Sequence, residues 1–594
     1  RLGYILQQTD TQPYNILCLT YTDAGTIAMR KRLLQFIGPT AYNLHIYTFH
    51  AFTNQVIREN MHFFGGIREL QPLTDLEKTE VFMDLIDQIP PDNPLKRFKG
   101  SVYYDKKNLE SLFNDMKREG WDPEFVRIKV DQYLENLKDD PDMYYKRRTP
   151  TKAKIYEKGD FKEGAYLEIL EKMNRLKAAA EQFTVYENML RNRARYDYDD
   201  MILWVLKAFE EHPQLLLKYQ EQYLYFLVDE YQDTNGAQNK ILEKLIDYWE
   251  SPNVFAVGDD DQAIYRFQGA NMENILNFVA KYHPKVIVLN QNYRSSQLII
   301  DASSSLISNN EQRLTKQLSI DKDFSAAGSN AALPMKVNIT SYPNPAQEEA
   351  AIFWEIHKLK NEGFPLDKIA VIYRNHKQVE NLTKVLEGEN FPVNIRKKLD
   401  ILAEPFIINI LELLQLIHFE LKETGLREDL LFKTLISPVF GISYADTIKI
   451  SKETAYKRDS KEKKYWMEVI SEKENLIRLG VGEADKIYRV YELLSKWINL
   501  APTVTVQHLF EKIITESGIL NEALSAPDSQ WKIQLLTSLF DFIKTEGVRN
   551  PFMKLSDFID SLDKMKQSGI ALPLVKIVSS NDGVNFITRS EERR

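Results

Sequence analysis

Asp229 and Glu230 are adjacent carboxylates that follow the apolar and aromatic run Tyr223-Leu224-Tyr225-Phe226-Leu227-Val228. That run reads as a buried strand. Two acids at the end of such a strand are costly unless something uses their charge. Nucleotide-hydrolysing sheets do so: the first acid holds Mg²⁺, and the second orients or deprotonates the attacking water. Asp229 then serves the metal and Glu230 the water. A strand that ends in a polar turn is the competing reading of a bare Asp-Glu. The downstream Gln232-Asp233-Thr234 and two later segments count against it.

The first of those segments runs from Gly258 through Asp259-Asp260-Asp261-Gln262 to Tyr265 and Phe267. Gln262 can bond a phosphate oxygen or the attacking water without carrying charge. Tyr265 and Phe267 can present flat faces to nucleic-acid bases. A solvated acidic turn followed by core aromatics competes with this. The second segment, Asn290-Gln291-Asn292-Tyr293-Arg294-Ser295-Ser296, opens a helix at Ser295 or Ser296. Arg294 fits an arginine finger on a phosphate, and Tyr293 could stack on a purine. A capped helix with a surface arginine is the plainer alternative.

These segments need a sheet to carry them. Strand patterns occur at Asn15–Thr20, Leu44–Tyr47, Tyr223–Val228, Val254–Val257 and Val286–Leu289, separated by helical patterns. Alternation of this kind implies a parallel sheet with helices on its faces. A second set lies at Met335–Ile339, Ile369–Tyr373, Pro392–Ile395, Val575–Val578 and Val584–Thr588. Each set is interrupted by a long helical stretch, the first of them charged and rich in Lys. Two α/β lobes of this kind commonly hold a ligand in the cleft they form.

Composition fits this plan. At 594 residues the chain is too long for one core, and about three to four domains are expected. Apolar residues at 43% and charged residues at 27% are ordinary for a globular protein. No apolar run reaches the roughly 18 residues of a membrane span. The single cysteine, Cys18, sits in a strand pattern and suits a reducing, intracellular setting. A net charge of −8 argues mildly against indiscriminate polyanion binding and leaves local basic patches open.

Together the motifs resemble superfamily 1 DNA helicases of the UvrD/Rep/PcrA type, over essentially the whole chain. The acid pair, Gln262 and Arg294 occur in family order at about the family's intervals. Thr20-Tyr21-Thr22-Asp23 resembles the family's strand-binding motif, making Tyr21 and Thr22 candidate DNA contacts. Tyr47-Thr48-Phe49-His50 resembles its next DNA-contacting motif and adds Thr48 and His50. Tyr196-Asp197-Tyr198-Asp199-Asp200-Met201-Ile202 resembles the stretch that returns the chain from the insert to the core.

The resemblance implies an α/β fold of two RecA-like parallel-sheet core domains, each with a mainly helical insert. The first core is expected at 1–62 and 196–288 with its insert at 63–195, and the second at 289–400 and 574–594 with its insert at 401–573. It implies ATP and Mg²⁺ as cofactors, single-stranded DNA and duplex junctions as partners, 3′→5′ translocation with unwinding, and a cytoplasmic location. Two departures qualify this. The family's phosphate loop, Gly-x-x-x-x-Gly-Lys-Thr, is not found, and no Gly-Lys pair occurs. The chain therefore looks truncated at its N-terminus, and negligible ATP turnover is expected of it as it stands. Val584–Thr588 resembles the start of the family's motif V, whereas Ser590-Glu591-Glu592-Arg593-Arg594 resembles the lead-in to motif VI. A deletion between Thr588 and Ser590 is the expectation. Two other functions stay open: the helicase part of a helicase–nuclease, and an ATP-independent single-strand-binding or scaffold protein that keeps the fold.

If Tyr265 and Phe267 stack on bases, changing either to Ala weakens single-strand binding by roughly 1–3 kcal/mol, with little dependence on base sequence. The salt slope should hardly move, since no phosphate contact is lost. Anisotropy titrations run beside melting curves check this; unchanged affinity with a large drop in melting temperature makes both rings core residues.

Overall fold

The computed structural model describes the chain except for residues 66–69, 99, 151–154, 264–272, 311–312, 319, 332, 334–336, 455–463, 579–581 and 589–594, with backbone alone at 149–150, 396–398 and 575–578. The chain divides into two compact units, residues 1–341 and 342–593.

The first unit is built on a four-stranded parallel sheet. Its spatial order is His45–Thr48, Ile16–Thr20, Tyr225–Val228, Val254–Ala256. All five residues of the Ile16–Thr20 strand are buried, as expected of a central parallel strand covered on both faces. Successive side chains point to opposite faces. Leu17 and Leu19 accordingly join one core with Phe49, Phe52, Phe226 and Val228. Ile16 and Cys18 join another with Ile46 and Leu227. Burial pushes the Cys18 thiol up to about 12, with the Asp229 charge adding to the effect. Cys18 is therefore a packing residue and not a reactive one. Val254–Ala256 is the sheet edge, and its middle residue, Phe255, is 39% exposed.

Between the second and third strands the chain forms helices Asp75–Gln88, Lys106–Glu119, Pro123–Asn136 and Glu163–Asn192. They carry a core of their own around Phe82, Phe113, Met116, Phe183 and Tyr186. A capping box between Thr74 and Glu77 starts the first of them. The pair Gln71–Pro72 and Arg195–Tyr196 closes the two ends of this segment against each other. Several basic side chains of this segment are paired with acids. Arg97 makes a two-pronged contact with Asp105, Lys146 pairs with Asp142, and Arg148 with Glu157.

The expectation of a strand at Val286–Leu289 is not met. Residues 283–290 form no strand, and Val286, Ile287 and Leu289 are 49%, 65% and 76% exposed. Strand propensity there finds no neighbouring ladder to join. Pairing begins only at Gln291–Asn292, which runs parallel to Ser325–Ala326. Of Met335–Ile339, residues 335 and 336 lie outside the described residues, and 337–339 form no strand.

The second unit has a sheet in the order Ala370–Tyr373, Val584–Thr588, Val393–Asp400, Pro573–Val578. The first three strands are parallel and the last is antiparallel. Helices Pro345–Asn361 and Glu380–Gly388 cover one face through Ile356, Leu382 and Leu386. Between Asp400 and Pro573 the chain is helical, from Pro405–Lys422 to Leu555–Ser568, around one large apolar core. Asp400 holds both ends of this stretch. Its Oδ1 accepts from the N–H of Leu402 (3.1 Å) and from that of Leu572 (2.9 Å). No helix among the described residues is long and apolar enough to cross a membrane.

Trp497 is fully buried in the large helical core, and its indole N–H donates to Glu516 (3.0 Å). Trp497→Ala leaves a cavity and should destabilise the protein by about 3–5 kcal/mol, read from urea unfolding curves. Trp497→Phe keeps most of the volume and should cost markedly less.

Candidate functional site

The acid pair stands at the carboxyl end of a central strand, where open α/β sheets bind ligands. Asp229 N–H continues the ladder by donating to the Leu19 carbonyl (2.9 Å). The chain then turns sharply at Glu230, whose φ of 52° places a non-glycine residue in the left-handed region. Such a conformation is strained and persists only where its surroundings impose it. Here Tyr231–Asp233 forms one helical turn, and Asn235 caps helix Gly236–Ile246 with a capping box.

Gln232 supplies the imposing contact. It is fully buried. Its amide nitrogen donates to Glu230 Oε2 (2.6 Å), and its amide oxygen accepts from the Asp259 N–H (3.0 Å). Tyr231 N–H also donates to the Val257 carbonyl (2.9 Å). The loops after two adjacent strands are thereby locked together. Gly258 permits the closeness, since a Cβ there would lie 2.7 Å from Gln232 Oε1.

The electrostatics of the two acidic groups differ. Burial raises the Asp229 carboxyl above the usual range, and the Glu230 charge raises it further. Asp229 has no ion-pair partner among the described residues. A divalent cation would relieve both effects, so this residue suits Mg²⁺. Asp259, Asp260 and Asp261 gather carboxylate oxygens within 4.8 Å of one another. Two cations already answer much of their charge. Lys322 Nζ reaches all three, and Arg313 makes a two-pronged contact with Asp261 (2.8 and 2.7 Å). Gln262 Nε2 donates to Asp259 Oδ2 (2.7 Å). A cavity of about 540 Å³ opens beside Asp229, lined also by Arg1, Tyr4, Arg32, Phe255 and Val257.

Tyr293 is 66% exposed, and its hydroxyl donates to Gln291 (2.6 Å). Arg294 is exposed ahead of helix Gln297–Ile307. Its N–H donates to Asn292 Oδ1 (2.9 Å), and its carbonyl accepts from Asn330 (3.0 Å). No ion pair joins its guanidinium to the acid pair among the described residues. Tyr265 and Phe267 lie outside the described residues.

Thr22 and Thr48 occupy equivalent places. Each caps the helix that follows its strand, accepting from Gly25 N–H (3.0 Å) and Ala51 N–H (3.2 Å) respectively. Thr20 pairs with Thr48 across the sheet, so the two helix N-termini are neighbours. Tyr21 is half-buried just before the first cap. A capping hydroxyl keeps its O–H to donate, and paired helix N-termini favour anions. His50 Nε2 lies 3.3 Å from Asp199 Oδ1.

Sequence motifs alone did not assign several residues that shape this region. Asp199 also faces Arg118 of the helical insert at 3.5 Å. Its neighbour Asp200 pairs with Lys117 at 2.6 Å, and the lysine side chain is 1% exposed. Gln232 stood inside a noted motif without a task. Lys322 and Arg313 lie more than fifty residues beyond their acids, where no spacing rule reaches.

Comparison with known proteins bears on the same segments. The model described as UvrD/REP helicase N-terminal domain matches residues 1–283, which include the acid pair and Gln262. The model described as UvrD-like helicase C-terminal domain matches residues 287–454, which begin just before Tyr293 and Arg294. The chain belongs to the UvrD-like helicase family. Among curated relatives, ATP-dependent DNA helicase PcrA of Bacillus subtilis (strain 168) is 24% identical over 632 residues, covering 100% of this chain and 76% of its own length. PcrA of Leuconostoc citreum is 25% identical over 92% of this chain and 64% of its own length. PcrA of Staphylococcus aureus (strain Mu50 / ATCC 700699) is 25% identical over 66% of this chain and 46% of its own length.

The Asp199 carboxyl gives a pH test. Burial pushes it up, but the His50 hydrogen bond and charge, with Arg118 and Lys117, outweigh burial and hold it below the usual range. A carboxyl lowered on folding adds stability above its unfolded value and loses it as pH falls through the folded value. His50→Ala should raise the Asp199 midpoint, measured by carboxyl NMR titration. Its melting-temperature deficit should be present at neutral pH and close in strong acid.

Proposed function

We propose that this chain is the motor core of an ATP-dependent DNA helicase that moves 3′→5′ along single-stranded DNA and separates duplex at junctions. The carrying observation is the Gln232 bridge. It fixes Glu230, at the end of a central strand, against the loop that presents Gln262. Membership of the family supports the reading.

Asp229 would hold Mg²⁺, which when bound neutralises phosphate charge. Glu230 takes a proton from, or orients, the attacking water, and the left-handed turn aims its carboxylate. Gln262 reaches the γ-phosphate region as a neutral donor. Tyr293 stacks on adenine, and Arg294 is the arginine that answers phosphate charge. On the DNA side, Thr22 and Thr48 donate their hydroxyls to phosphates at paired helix N-termini. Tyr21 with Tyr265 and Phe267 stacks on bases, and His50 contacts the strand. We place the first core at 1–62 and 196–288 with its insert at 63–195, and the second core at 289–400 and 574–594 with its insert at 401–573. Residues up to 341 belong to the first compact unit, within which Arg313 and Lys322 pair with the Asp259–Asp261 loop. The buried, unreactive Cys18 suits a reducing cytoplasm.

In the full-length protein, Glu230→Gln should cut DNA-stimulated ATP turnover by about 10²-fold or more and leave nucleotide binding largely intact. A steady-state ATPase assay beside equilibrium nucleotide binding decides it. A variant near the wild-type rate removes Glu230 from this role. A wild-type protein that binds single strands yet never hydrolyses ATP is instead an ATP-independent binder.

A further inference from the structure

Three adjacent acids on one short loop repel one another, and each carboxylate brought close raises the cost of ionising the next. The loop Asp259–Asp261 nevertheless folds its carboxylates together, with the Asp260 side chain only 2% exposed. A segment without an assigned task answers that charge. Lys322 Nζ lies 3.0 Å from Asp259 Oδ1 and 3.5 Å from Asp261 Oδ2, and it also bonds Asp260. Arg313 and the Leu314 N–H (2.6 Å to Asp260 Oδ2) anchor the same loop from the same segment.

Asp259 is two-sided. Oδ1 takes Lys322, and Oδ2 takes the Gln262 amide. Its backbone N–H is the one held by Gln232, which also holds Glu230. A displacement of Asp259 is therefore felt at Gln262 directly and at Glu230 through one amide. Burial opposes ionisation of Asp259, but Gln262 and Lys322 overcome it and keep the carboxyl below the usual range.

We propose that Lys322 is a positioning residue for Gln262: its ammonium is the built-in counter-ion of the Asp259–Asp261 loop and sets the amide through Asp259. This rests on the hydrolytic role of Gln262 given above. A divalent ion would satisfy three such carboxylates equally well. The ammonium takes its place, and because Lys322 is only 13% exposed, bulk salt screens it weakly. Arg313 and Leu314 still tie the loop when the ammonium is removed, so Lys322→Met should fold.

The full-length protein, Lys322→Met and Lys322→Arg are compared. Lys322→Met should lose about 10-fold or more in kcat for ATP, while KM moves by less than about threefold. Lys322→Arg should recover most of the rate, since it restores the charge. Melting curves without nucleotide give a second readout that needs no activity. Millimolar Ca²⁺ should stabilise Lys322→Met clearly more than wild type, because the bared carboxylates can then take an ion. Turnover of Lys322→Met within about twofold of wild type would overturn the positioning role. Equal response of both proteins to Ca²⁺ would overturn the counter-ion. Should the wild type show no ATP turnover at all, the hydrolytic reading falls, and the Ca²⁺ comparison alone judges the counter-ion.

Discussion

The Gln232 side chain donates to one acidic loop and accepts from the next, out of reach of water. Few side chains can do this. A carboxylate would only accept and a lysine would only donate, whereas an amide does both without charge. In a low-dielectric setting such a bridge is strong when complete and costly when half-made. Its completeness makes the strand ends act as one body. The left-handed turn at Glu230, the close approach at Gly258 and the orientation of Asp259 all follow from it.

Much of this was legible in the sequence where one residue type and its neighbours suffice. The strands at Ile16–Thr20 and Tyr225–Val228 lie where apolar runs placed them, because burial on both faces writes a continuous pattern, and Val584–Thr588 lies where expected with burial that alternates along the strand. The exposed run Val286–Leu289 shows the limit. Its composition is that of a strand, but a strand exists only with a partner, and partnership is a property of the fold. The antiparallel pairing of Pro573–Val578 on Val393–Asp400 was illegible for the same reason.

The site divides likewise. Asp229, Glu230 and Gln262 announce themselves by acid clustering at strand ends. Lys322, Arg313 and the insert residues Lys117 and Arg118 do not, since each is an ordinary cation until folding brings it to its acid. The pairing of Lys117 with Asp200 also shows how the first helical insert is coupled to its sheet. A buried ion pair adds little net stability, but breaking one side of it is expensive. The junction is therefore specific more than it is strong.

Asp400 gathers both ends of the second helical stretch on one carboxylate oxygen, with Leu572 arriving across 172 residues of chain. In polymer language this is a pinched loop. The entropy lost in closing such a loop grows only with the logarithm of its length, so halving or doubling it changes the cost by about 0.6 kcal/mol. Growth or shrinkage of the stretch by whole helices is thus nearly invisible to the sheet that carries it. The neck has no such freedom. The plan therefore leaves total length nearly free, while two hydrogen bonds to one oxygen of Asp400 set the spacing at the neck.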